Sequence, residues 1–138
     1  MRIDGSCHCG RITYRAEVDP DGVYLCHCSD CQVLSGAPFR AVAAVPVEQV
    51  QMQGQARHYV KVAASGNRRA QAFCADCGTQ LYATEADTPR VMNIRLGCVN
   101  ERAQIRPRLQ VWTSSAVPWL HDLDAVPAHT RGRDSPLR

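Results

Sequence analysis

Seven of the eight cysteines fall into short clusters, and those clusters are where this chain could do chemistry. Cys7-His8-Cys9-Gly10 and Cys74-Ala75-Asp76-Cys77-Gly78 each bring two sulfurs close together. A turn of this length points both sulfurs at one ion, and the following glycine permits the backbone conformation that such a knuckle needs. Four thiolates fill a tetrahedral zinc shell, so Cys7, Cys9, Cys74 and Cys77 together would form a closed, structural site stapling residue 7 to residue 77. Spacing by itself leaves open which pairs share a metal. Cys26-His27-Cys28-Ser29-Asp30-Cys31 holds three thiolates within six residues, too dense for an ordinary β core. Three protein ligands leave a fourth position open for water or a substrate thiol, the arrangement of a catalytic zinc. The alternative is a second closed site completed by Cys98, His27 or another residue. Cys98, after Gly97 at a strand end, reads as a small buried apolar residue, with fourth ligand or redox partner as the alternatives.

The elements that must position these groups are mostly strands. Arg11 to Val18 alternates, with Ile12, Tyr14, Ala16 and Val18 on one face. Asp19-Pro20-Asp21-Gly22 is a turn, and Val23 to Leu25 runs into the central cluster. Phe39 to Val45, Val50 to Met52, Arg57 to Val62, Arg69 to Phe73, Arg90 to Leu96 and Leu109 to Thr113 read as further strands. Ser29 is placed to cap a short helix over Asp30 to Leu34, stopped by Gly36. His8 and His27 stand between metal-binding cysteines, where a side chain points away from the ion and supports or contacts solvent. His58 reads as a strand-surface residue.

The length of 138 residues fits one domain, expected over residues 1–124, with a loosely held tail from 125 to 138. A net charge of +3 argues against a general nucleic-acid or membrane surface. No segment reads as a signal peptide or membrane span, so a cytoplasmic, reducing compartment is expected, where clustered cysteines mean metal or catalysis rather than disulfides. No GxSxG, phosphate-binding glycine loop or HExxH is present.

Gly5-Ser6-Cys7-His8-Cys9-Gly10, Cys26-His27-Cys28-Ser29-Asp30-Cys31-Gln32 with Ser35-Gly36-Ala37-Pro38-Phe39, and Phe73-Cys74-Ala75-Asp76-Cys77-Gly78-Thr79 resemble the glutathione-dependent formaldehyde-activating enzyme family, which includes the centromere protein V-like proteins. Gly97-Cys98-Val99-Asn100, Gln110-Val111-Trp112-Thr113-Ser114 and Pro118-Trp119-Leu120 extend the resemblance, which runs from about residue 3 to about residue 120. It implies a mainly β fold, a β-tent of small antiparallel sheets pinned by zinc with little helix. It implies two zinc ions per chain, a structural one on Cys7, Cys9, Cys74 and Cys77 and a catalytic one on Cys26, Cys28 and Cys31. It also implies carbon–sulfur lyase chemistry with a small thiol such as glutathione and an aldehyde, the name-giving reaction being S-(hydroxymethyl)glutathione synthesis from formaldehyde. The chain departs from the pattern at Cys98, where many members carry a small hydroxyl residue followed by Leu-Asp, and at Gln110, where many carry His or Glu. A non-catalytic zinc module for protein or nucleic acid is the alternative, with Arg68, Arg69, Arg102, Arg106 and Arg108 as its basic patch.

Overall fold

The computed structural model describes residues 1–138, and their strands form two sheets. Strands β1 (Arg2–Ser6), β2 (Thr13–Glu17) and β5 (Val50–Gln53) make a three-stranded antiparallel sheet in the order β1-β2-β5. The second sheet holds β3 (Val23–Cys26), β4 (Arg40–Pro46), β6 (Arg57–Val62), β7 (Arg68–Phe73), β8 (Gln80–Glu85), β9 (Val91–Arg95) and β10 (Leu109–Val111). Its order is β10-β3-β4-β9-β8-β7-β6, antiparallel except for the β10–β3 pair. The mainly β expectation holds, with a single α-helix, α1 (Ser29–Ser35), and short 3₁₀ turns. No helix is long and apolar enough to cross a membrane.

The core sits between the sheets. The alternating face expected from β2 is the buried one: Ile12, Tyr14, Ala16 and Val18 are all buried. They cluster with Ile3 of β1 and with Val23, Ala43, Val45, Ala72, Tyr82 and Ile94 of the larger sheet. Side chains alternate along a strand, so the pairing register fixes what lies on the sheet's other face. Cys26 pairs with Arg40, Val42 with Arg95, Ala83 with Asn93, Gln71 with Ala83 and Lys61 with Arg69. That second face is therefore polar and strongly basic, and α1 covers part of it.

Two strands escaped the sequence reading. In β1 the residues are Arg-Ile-Asp-Gly-Ser, where Asp4 and Gly5 disfavour a strand and full antiparallel pairing with β2 holds it. Gly5 is needed there, because a Cβ at that position would fall 2.3 Å from the Tyr14 ring. Strand β8 lies between β7 and β9, where Leu81 is wholly buried.

The turn after β8 is organised by Glu85, whose carboxylate accepts hydrogen bonds from the amides of Arg90 (3.0 Å) and Val91 (3.2 Å). The Arg90 amide above all, with the other amides and nearby Arg69, holds the Glu85 carboxyl down to about 2 from an ordinary 4.5. A depressed folded-state pKa gives stability that is complete above the unfolded value and lost as pH falls through the folded one. The thermal midpoint of the wild type should therefore fall as pH is lowered from 4.5 towards 2, and Glu85→Gln should lack that part of the slope. Thermal melts across this range check it, and equal slopes would refute it.

Candidate metal centres and the cavity between the sheet and its helix

Cys7 follows β1 and Cys74 follows β7, so the first cluster forms where the two sheets meet. A bulge at Ala72/Phe73 turns the chain out of β7 and into the Cys74–Cys77 knuckle. Both knuckles close on a glycine: Gly10 N–H donates to the Cys7 carbonyl at 3.1 Å and Gly78 N–H to the Cys74 carbonyl at 2.8 Å. Their φ values of 80° and 75° are in the left-handed region that glycine tolerates. The sulfurs of Cys7, Cys9, Cys74 and Cys77 all lie within 4.8 Å of one another. The Cys7–Cys9 and Cys9–Cys74 separations are 3.6 and 3.8 Å. Four sulfurs at about 2.3 Å from a tetrahedral ion would stand about 3.8 Å apart, so donor type and spacing fit a metal ion.

The charge distribution fits as well. The Thr79 hydroxyl and amide pull Cys77 down to about 5. At Cys9 the Arg11 amide lowers the thiol, but desolvation and the other three sulfurs outweigh it and push it up to about 12. Four sulfurs this close cannot all ionise unless a cation joins them.

The second cluster is built by the passage from β3 into α1. Cys26 ends β3, and the sulfurs of Cys26, Cys28 and Cys31 lie within 4.8 Å of one another. The helix cap is Cys28, not Ser29: the Cys31 amide donates to the Cys28 sulfur at 3.4 Å, and Ser29 is the first helical residue. Gly36 ends the helix in the left-handed conformation, as expected. The loop is tied down from outside. His27 N–H donates to the Val111 carbonyl of β10, and the His27 carbonyl accepts from Gln32 Nε2 (2.8 Å) and Ser115 Oγ (3.0 Å).

Burial pushes Cys31 up to about 12, against the opposing pull of Arg40. Cys28 is lowered: burial raises it, but the Cys31 amide, the neighbouring thiols and Lys61 prevail. The three sulfurs thus sit among cations and amide donors, and the set could bind a metal ion.

The other residues singled out from the sequence stand around these clusters. His27 is buried, with Nε2 2.8 Å from Gln110 Oε1 and its ring tilted against Phe39. It supports the loop, and neither it nor Cys98 joins the second sulfur group. Cys98 donates to the Gln80 carbonyl at 3.0 Å and packs beside the core. Its thiol is raised to about 11, chiefly by burial. His8 is exposed, and its amide donates to Thr79 Oγ1. His58 lies 3.4 Å from the Tyr82 hydroxyl. The Asp30 carboxylate is paired with Lys61, which ties α1 to β6. Arg68 and Arg69 are paired with Asp87 and Glu85, so they do not form an uncompensated patch.

Two cavities flank the second cluster. One, of about 410 Å³, has Cys26 and Cys31 in its wall; the other, of about 350 Å³, has Cys28. Asp30, Lys61 and Ala63 border both. Trp112 lines the smaller cavity with φ of 57°, a conformation that costs energy in a residue other than glycine. A larger space of about 670 Å³ lies on the three-stranded sheet, with no thiol in its lining. Chemistry therefore points to the cavities beside Cys26, Cys28 and Cys31.

The sequence reading passed over the residues that give the 410 Å³ cavity its character. Arg40 and Arg95 are each only 6% exposed. Arg40 NH1 and Arg95 NH2 both donate to Gln71 Oε1, at 3.1 and 2.9 Å. Burial first, and then Arg40, pull Arg95 down to about 9, and it stays charged at neutral pH. The available signal was an arginine inside each of two strand-length runs, Arg40 in Phe39 to Val45 and Arg95 in Arg90 to Leu96.

Comparison with known proteins gives a family and a likeness of fold. The family described as "Glutathione-dependent formaldehyde-activating enzyme" matches residues 2–115. An uncharacterized lyase of Schizosaccharomyces pombe is 29% identical over 79 residues, which is 57% of this chain and 55% of that protein. The match thus spans about half of the relative's length. The crystal structure of a Rhodobacter sphaeroides protein superposes with a TM-score of 0.57 at 18% identity, covering 78% of this chain and 99% of the other, a likeness of fold.

Proposed function

The chain belongs to the glutathione-dependent formaldehyde-activating enzyme family, and from that premise we propose that it is a two-zinc, carbon–sulfur lyase-type enzyme acting on the adduct of a thiol and an aldehyde. The observation that carries this reading is a three-sulfur cluster lying between two cavities, with Cys26 and Cys31 in the wall of one and Cys28 in the wall of the other. Cys7, Cys9, Cys74 and Cys77 are assigned to a closed structural zinc, and Cys26, Cys28 and Cys31 to a second zinc with one position left open.

Bound there, zinc would supply an electrophilic centre that favours the thiolate form of an incoming thiol. Three donating thiolates make carbonyl activation the weaker use of such an ion. In the synthetic direction the substrate sulfur bonds to the aldehyde carbon, and the carbonyl electron pair moves to oxygen. That oxygen takes up the proton the thiol gave up. The chain's own part is positional. Tethers from Val111, Gln32 and Ser115 fix the His27 backbone between the first two ligands. Asp30, paired with Lys61, is held as an ion pair rather than as a free base. Glutathione and formaldehyde are the first substrates to try.

The test combines metal counting with exchange spectroscopy. Protein purified without chelator should contain two zinc ions, one of them removed first by a mild chelator. It should also accelerate the equilibration of glutathione with formaldehyde measured by NMR. One ion per chain even after zinc is added back, or equilibration no faster than in buffer, would overturn the reading.

A further inference from the structure

Arg40 and Arg95 project from neighbouring strands of the larger sheet onto the face opposite the main core, where both line the 410 Å³ cavity with Cys26 and Cys31. Each arginine is only 6% exposed as a residue, and neither has a carboxylate within ion-pair distance. Their shared partner is one neutral oxygen, Gln71 Oε1; Arg95 adds only a 3.3 Å bond from NH1 to the Asn93 carbonyl. Arg40 Nε and NH2 and Arg95 Nε have no hydrogen-bond partner. Burying two like charges this way is costly unless something compensates them.

The thiolates nearby do not compensate them fully. Three thiolates around a divalent ion carry one net negative charge, whereas the two guanidiniums carry two positive charges. The remaining cations of the wall, Lys61 and Arg69, are already paired with Asp30 and Glu85. The cavity keeps an excess positive charge beside the sulfurs, in a space of ligand size. Guanidinium pairs match oxyanions in shape as well as charge.

We propose that this cavity is an oxyanion subsite in which Arg40 and Arg95 hold a carboxylate or phosphate group of the substrate, with Gln71 keeping the two guanidiniums in place. The inference deepens the reading of the Cys26, Cys28 and Cys31 site and rests on it for the identity of the ligand as a substrate. It makes the enzyme selective for an anionic thiol or aldehyde over a neutral one of the same size.

Isothermal titration calorimetry on zinc-loaded protein tests this without any turnover. The titrants are propionate, inorganic phosphate, mercaptopropionate and its neutral counterpart mercaptopropanol, at constant ionic strength. Mercaptopropionate should bind about tenfold or more tightly than mercaptopropanol, and the stronger of propionate and phosphate identifies which oxyanion the site takes. Gln71→Glu, which places a carboxylate between the guanidiniums, should raise the thermal midpoint and abolish binding of the simple anion. Arg40→Met should weaken that binding about tenfold or more with two zinc ions retained. Equal affinity for acid and alcohol, or Gln71→Glu with undiminished anion binding, would overturn the proposal, as would Arg40→Met releasing the second zinc while leaving anion binding intact. Because propionate has no thiol and undergoes no reaction, anion binding without adduct formation would remove the proposed chemistry and leave the subsite. Adduct formation without anion binding would do the reverse.

Discussion

Replacing Cys74 with serine is expected to abolish the native fold rather than merely to weaken it. Cys74 and Cys7 are each 1% exposed and belong to the main core cluster. The cluster they share with Cys9 and Cys77 joins the end of β1, in the smaller sheet, to the end of β7, in the larger. Cross-linking a loop of roughly 70 residues is worth about 4 kcal/mol in chain entropy alone. Apparent zinc-binding free energies in small structural sites run to about 10–16 kcal/mol, as large as the whole stability of an ordinary domain. A buried serine hydroxyl in place of the sulfur would lose that link and bring a polar group into the core. Far-ultraviolet circular dichroism and a zinc count on Cys74→Ser should therefore show loss of the strand signal and of the first ion together. Cys9 is exposed, so its serine variant keeps a solvated hydroxyl and should be the milder of the two. A folded Cys74→Ser protein melting within a few degrees of wild type would mean that this cluster is not a staple.

The site was more legible in the sequence than its surroundings. Knuckle glycines, ligand spacing and the alternation of Ile12, Tyr14, Ala16 and Val18 are local signals, and local signals survive folding. The strand over Arg57–Val62 was readable for the same reason. What could not be read depends on pairing. Strand β1 exists because β2 supplies its partners, although its own residues favour a turn. Nothing local marks Arg40 and Arg95, and only the register Val42↔Arg95 and Cys26↔Arg40 places them together on a buried face beside the sulfurs. The helix cap went to Cys28 instead of Ser29 because the loop tethers set where the helix begins, and a sulfur was already in reach of the Cys31 amide. Single-residue types cannot carry that information, since it belongs to a partner strand that can lie far along the chain, as β9 does from β4.

That cap makes Cys28→Ser the substitution that separates chemistry from folding. Serine is among the best residues at a helix N-cap, and its oxygen can accept from the Cys31 amide as the sulfur does. Cys28 is only half-buried, so a hydroxyl there can also reach solvent. The first cluster lies at the junction of the sheets and shares no ligand with this loop. Cys28→Ser should therefore keep its fold and its tight zinc ion, with a thermal midpoint within a few degrees of wild type. Two remaining sulfurs hold a metal poorly, so the labile ion should be lost, and with it the open position for a thiol. Adduct formation should drop by at least about 100-fold, since even residues that only support a metal ligand cost about 10–100-fold when changed. Metal analysis, thermal melting and NMR exchange on one preparation read all three consequences. If the variant held both ions and matched the wild-type rate, Cys28 would be a helix cap and nothing more. If it lost the second ion and still matched that rate, the reaction would not depend on this cluster, and the proposed function would fall while the fold and the structural site stood.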